Sequence, residues 1–377
     1  MNTAFRFVLL FIPIFALAAA VVLIEQGRKD GPAASVSAPS LVPPAQAQPI
    51  ERAPTALETA FAQELATLGE GFDGAVGIAV GDAATGAVHS YRGEEAFPQQ
   101  SVSKLWVTLT ALEQVDRGEL DLAEPVVIRQ EDLTLFHQPI REIVRTRGVF
   151  RTDYADLMQR AITGSDNAAN DRLLRRVGGP EAVQDFLDSK AITGVTFGTD
   201  ERSKQSAIAG LRWNQGYSYG RRFYEARDLV PAPTRRQAFE AYLSDPIDGA
   251  SPVGIAQALM MLAEGRLLSP ASTRLLRGTL QKTRSGPSRL KGGVPPGWTF
   301  GHKTGTGQVF DGEQSGYNDI GLLTAPDGAE YALVVMIGRT RASNPTRMAL
   351  MQAVTRATVA FHAASQAEAS AVPESTS

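Results

Sequence analysis

Residues 7–24, FVLLFIPIFALAAAVVLI, form an uncharged apolar run behind Arg6. That order fits an export signal or an N-terminal inner-membrane anchor better than a core helix. Over 25–53 the pattern gives way to Pro, Ala, Ser and Gln, too little apolar surface to offset ordering entropy, so a linker is expected there. Alternating runs at 75–80 and 87–91 flank the turn-forming GDAATG, and runs at 319–324 and 331–337 flank Ala-Pro-Asp-Gly-Ala. Each pair predicts a β-hairpin. Apolar positions at helical spacing predict helices over 55–67, 104–117, 153–163, 168–177, 180–189, 252–265 and 345–362. Strand material at both ends with helices between implies an α/β, two-lobed fold. Its antiparallel sheet is assembled from both chain ends with flanking helices, and an all-helical lobe is inserted. The folded unit is expected over 54–363, and the aperiodic Ala, Ser and Glu of 364–377 as a disordered tail.

Composition narrows the chemistry. Lys and Arg number 37 against 40 Asp and Glu, a net charge of −3, which excludes a nucleic-acid binder driven by bulk positive charge. Without cysteine there is no disulfide, thiolate nucleophile or Cys-based metal site. His89, His137, His302 and His362 stand singly, so neither a metal nor another cofactor is expected.

Three short motifs carry candidate chemistry. Ser101-Val-Ser-Lys104 opens the predicted helix at 104. One turn separates Ser101 from Lys104, so hydroxyl and amine share a face, and a Lys kept unprotonated can take the hydroxyl's proton. The plain alternative for Ser101 is a helix N-cap. Ser288-Arg-Leu-Lys291 matches too, but in a Gly/Pro-rich stretch with no helix to align it. Ser165-Asp-Asn167 reads as a cap or, functionally, as a proton relay at Ser165 with an amide contact at Asn167. Lys303-Thr304-Gly305-Thr306 follows WTFGH on a predicted strand. It offers a fixed cation, a carboxylate-binding hydroxyl and a glycine admitting substrate backbone. Its spacing is wrong for a phosphate-binding loop.

The trio, in this order, resembles that of class A β-lactamases and penicillin-binding proteins, and the likeness extends over about 56–362. It implies a serine β-lactamase-like fold acting as a monomer in the periplasm or another extracytoplasmic space on a small β-lactam or a cell-wall peptide, and the apolar run at 7–24 offers it an export signal or an inner-membrane anchor. On the matching positions, Ser101 would be the acylated nucleophile and Lys104 its proton acceptor. Ser165 would relay the proton, Asn167 would contact a substrate amide, and Lys303 with Thr304 would anchor a carboxylate. The N–H groups of Ser101 and Thr306 would form an oxyanion hole. The family's Glu-x-x-Leu-Asn, whose Glu activates the deacylating water, is absent, and the chain is longer than usual within about 203–245. Glu225 and Glu240 are the substitutes the sequence offers. With the motif missing, a D-Ala-D-Ala peptidase and a slowly deacylating sensor stay open beside a β-lactamase. Phe136 and His137 are expected at the cleft rim, and Trp213, Tyr217 and Tyr219 packed in the extra stretch.

Overall fold

A computed structural model describes residues 53–371; the predicted anchor at 7–24 and nearly all of the linker lie outside them. No helix among the described residues is long and apolar enough to cross a membrane. The central sheet holds β1 (Ala75–Asp82), β2 (Val88–Tyr91), β3 (Thr299–Thr306), β4 (Tyr317–Thr324) and β5 (Glu330–Arg339), in spatial order β2-β1-β5-β4-β3. All neighbours are antiparallel. Both predicted hairpins are present, joined through the β1–β5 pairing of the two chain ends.

The helices are α1 (Ala56–Glu70), α2 (Lys104–Asp116), α3 (Ile140–Arg147), α4 (Tyr154–Thr163), α5 (Asn167–Val177) and α6 (Gly179–Ser189), then α7 (Glu201–Ile208), α8 (Arg222–Asp228), α9 (Ala232–Ser244), α10 (Pro252–Ala263), α11 (Pro270–Gln281) and α12 (Asn344–Ala371). Helix α1 starts at a capping box, with Thr55 Oγ1 accepting from Glu58 N and Glu58 Oε2 accepting from Thr55 N. Helices α1 and α12 cover one sheet face, where Val76, Ile78 and Val80 meet Phe61, Leu65 and Val354. On the other face β1 presents Gly77, Ala79 and Gly81. A Cβ on Gly77 would lie 2.7 Å from Pro252, and one on Gly81 2.7 Å from Met260 Sδ. Small residues at alternate positions are therefore what lets α10 settle onto the sheet.

Helix α2 is buried through its first nine residues, Lys104 to Leu112, so it forms the centre of the helical lobe rather than a surface helix. Helix α12 extends to Ala371, correcting the expected tail over 364–371. Its exposed last turns hold no apolar stripe; the helix propensity of Ala, Gln and Glu continues them, and Gln366 Nε2 donates to Asp327 Oδ2 at 3.0 Å.

Candidate active site

Ser101, Ser165, Asn167, Thr304 and Thr306 line one cleft of about 470 Å³, together with Glu201 and Arg289. The first five come from a 3-10 turn, the start of a helix and an edge strand. Ser101 lies in a 3-10 turn, Gln100–Ser103, that runs into α2. Lys104, fully buried, donates from Nζ to Ser101 Oγ at 2.9 Å. Ser165 has φ 57° just before α5, a left-handed backbone that turns its hydroxyl toward Lys303 Nζ at 3.0 Å. Asp166 caps α5 and also accepts from Ile140 N. Asn167 Nδ2 donates to Leu135 O at 2.9 Å.

Edge strand β3 carries Lys303 to Thr306 along the cleft. A Cβ at Gly305 would strike the Gln99 carbonyl, so glycine is needed there for the strand to approach the Ser101 turn. Thr304 Oγ1 pairs with Ser285 Oγ at 2.7 Å, and Thr306 Oγ1 accepts from Arg289 Nη2 at 2.6 Å. Arg289 also donates to Gly305 O and Asn318 O. The second Ser-x-x-Lys stays outside this arrangement: Ser288 O accepts from Gln352 of α12.

The carboxylate beside the nucleophile is Glu201, the first residue of α7. Its Oε2 lies 3.4 Å from Lys104 Nζ and 3.4 Å from Lys204 Nζ, and its Oε1 accepts from Gln205 at 3.0 Å. Glu225 and Glu240 are not among the residues lining the cleft. Glu225 is exposed on α8, and Glu240 pairs with Arg339 and Arg236. Both are helix charges meeting solvent or surface arginines, so neither can fill the position they were proposed for. The overlooked signal is spacing. Glu201-Arg-Ser-Lys-Gln205 keeps a Glu and a carboxamide four apart, with Lys in place of Leu and Gln in place of Asn.

Lys204 adds a cation beneath the nucleophile, bonding Asp248 Oδ2 at 2.9 Å and Gln100 O at 3.3 Å. Gln100 has φ 55°, a conformation costing about 1–3 kcal/mol. It is fixed on several sides: its N donates to Asp248 Oδ2, its Nε2 to Tyr242 OH and Ser315 O, and its Oε1 accepts from Gln205. The residue preceding the nucleophile is thus clamped by Gln205 and Tyr242 of the extra stretch together with Asp248 and Ser315.

Electrostatics separates the lysines. Burial opposes charge on Glu201, but Lys104 and Lys204 outweigh it and hold the carboxyl at about 2. Burial likewise opposes charge on Lys204, yet Asp248 and Glu201 together raise it above the ordinary lysine value. Lys104 shares a single carboxylate, and burial, with Lys204 adding to it, lowers it. Burial, then Lys104 and Arg289, push Lys303 far down. The lysine touching Ser101 therefore holds its proton less tightly than a lysine in water.

Phe136 packs edge-on against Phe223 at 5.2 Å, and Trp213 and Tyr217 continue the same aromatic cluster. Trp213 and Tyr217 thus pack behind the cleft-lining Phe136 as expected, whereas Tyr219 is exposed. No cluster of metal-ligating side chains occurs among the described residues.

Residues 60–362 match the model of the beta-lactamase enzyme family. The chain is 30% identical over 268 residues to the extended-spectrum beta-lactamase PER-1 of Pseudomonas aeruginosa, covering 71% of this chain and 76% of that protein. It is 30% identical over 292 residues to the carbapenem-hydrolyzing beta-lactamase KPC of Klebsiella oxytoca, covering 77% and 84%. Among solved structures, an ancestral class A beta-lactamase superposes with a TM-score of 0.63 at 30% identity, covering 80% of this chain and 99% of that one. A beta-lactamase from Chitinophaga pinensis gives 0.66 at 25% identity, covering 81% and 99%.

Proposed function

Since the chain belongs to the beta-lactamase enzyme family, we propose that it hydrolyses β-lactams through an ester on Ser101, and that Glu201 activates the water that releases it. The observation that carries this reading is the position of Lys104 Nζ, in contact with both the Ser101 hydroxyl and the Glu201 carboxylate. Neutral Lys104 takes the Ser101 proton as Oγ attacks the lactam carbonyl. The N–H groups of Ser101 and Thr306 receive the oxyanion. As the C–N bond breaks, Ser165 passes its proton to the departing nitrogen and takes in its place the proton that Lys104 removed from Ser101, so that Lys104 and Ser165 both end as they began. Lys303 and Thr304 hold the substrate carboxylate, with Ser285 beside Thr304, and Asn167 meets the side-chain amide. Glu201, kept ionised beside Lys204, then takes a proton from water as the water attacks the ester, and that proton passes to Ser101 Oγ as its bond to the acyl carbon breaks.

A buried, ionised carboxylate next to the nucleophile favours fast hydrolysis over a long-lived acyl carrier. The reading includes action as a monomer outside the cytoplasm, with residues 7–24 as leader or anchor. The full chain should turn over a chromogenic cephalosporin continuously and release little D-Ala from an acyl-D-Ala-D-Ala peptide. Peptide cleavage with negligible cephalosporin turnover would overturn it.

Lys204 gives a second check. In Lys204→Met, Asp248 keeps Gln100 N and Tyr242 OH but loses its cation, and breaking such a buried pair costs about 3 kcal/mol, readable by urea unfolding. The lost positive charge no longer depresses Lys104. Activity that needs neutral Lys104 rises with pH through its pKa, so the acid limb of kcat/KM should move to higher pH. An unmoved limb would contradict Lys104 as the proton acceptor.

A further inference from the structure

Beyond the cleft a second groove of about 670 Å³ runs between the start of α9 and the chain after β3, its lining including Arg227, Arg235, Arg236, Val309, Phe310 and the acid Asp311. Arg227 and Val309 also line the active-site cleft, so the two spaces adjoin. The direction of the junction matters. Thr304, the proposed carboxylate anchor, lies on β3, and the chain passes Thr306 before reaching Val309. Asn167, the proposed contact for the side-chain amide, lines the same cleft as Arg227 and Val309, so an acyl side chain that continues past that amide can reach the groove.

The groove carries more positive charge than it neutralises. Arg236 pairs with Asp311 at 2.6 Å and with Glu240. Arg235 stacks over Phe310 at 4.6 Å, and no ion pair to it occurs among the described residues. Arg227 stacks on Tyr224 at 5.1 Å. Its Nε is buried without a hydrogen-bond partner, and its nearest acid, Asp228, lies 3.7 Å away and largely in solvent. Arg227 and Arg235 line the same groove, and burial first, then the Arg227 charge, lower Arg235 while Asp228 raises it, so the two guanidinium groups repel one another there. An anion between them would relieve that repulsion and meet planar donors suited to a carboxylate.

We propose that this groove is a subsite for an anionic group on the acyl side chain of the substrate, with Arg235 meeting the charge and Arg227 forming the shared wall. The subsite rests on the hydrolase reading above and adds to it a preference among substrates. Carbenicillin and benzylpenicillin differ by one side-chain carboxylate, so the ratio of their kcat/KM values isolates the charge. Arg235→Gln should lower the carbenicillin-to-benzylpenicillin ratio about fivefold, as for a partly exposed charge pair. The change should fall mainly in KM, and Arg235→Lys should restore part of it. An unchanged ratio, including an equal loss on both penicillins, would overturn the subsite while leaving the hydrolase reading in place. A wild-type protein that hydrolyses neither these penicillins nor a chromogenic cephalosporin would overturn both.

Discussion

Glu201→Gln is expected to turn a catalyst into a protein that stops after one turnover. The substituted amide keeps the volume and still offers Gln205 an acceptor, but it cannot take a proton from water. Loss of a positioned base lowers the affected step by about 10²–10⁴-fold, and here that step is deacylation. Acylation should persist, because the Glu201 charge is what raises Lys104 against burial and its removal favours the neutral amine further. Lys204 retains Asp248, so the fold should survive. A stopped-flow trace with a chromogenic cephalosporin should show a burst near one equivalent followed by a slow phase. Linear turnover at the wild-type rate would exclude Glu201 as the deacylating base.

Ser101→Ala is expected to remove turnover altogether, by about 10⁶-fold in kcat, the scale lost when a nucleophile that works as a unit with its base is deleted. The fold should be indifferent to this change. Ser101 is only partly buried, and its hydroxyl is held by one side-chain bond, from Lys104. A Tm near the wild-type value with no cephalosporin hydrolysis is the expected pair of results. Retained hydrolysis would place the chemistry elsewhere.

Much of this site was legible because its residues stand in short local frames. Ser101 and Lys104 are one turn apart, Ser165 and Asn167 open a helix, and Lys303 to Thr306 share a strand, so local structure alone fixes their mutual geometry. Glu201 was not legible that way. Helix α7 buries Glu201, Lys204, Gln205 and Ser206, polar groups that satisfy one another and Gln100 rather than following an apolar stripe. Hydrophobic periodicity is blind to such a helix, and a search for Leu and Asn passes over the Lys204 and Gln205 that replace them. Lys204 is stable in that place because Glu201 is joined by Asp248, 44 positions along the chain, which arrives at 2.9 Å. The sheet was easier, since β1 and β5 announce themselves as apolar runs. Even so, the fit of α10 depended on Gly77 and Gly81, whose meaning appears only when Pro252 and Met260 are seen against them.

The most direct test is intact-mass spectrometry of wild-type protein and Glu201→Gln, mixed with benzylpenicillin and quenched from milliseconds to hours. Ring opening sheds no atoms, so the expected adduct equals the whole drug and maps to the peptide holding Ser101. It should be fleeting in the wild type and persistent in the variant. An adduct on another residue, or drug consumed with no adduct in either protein at any time, would contradict the account.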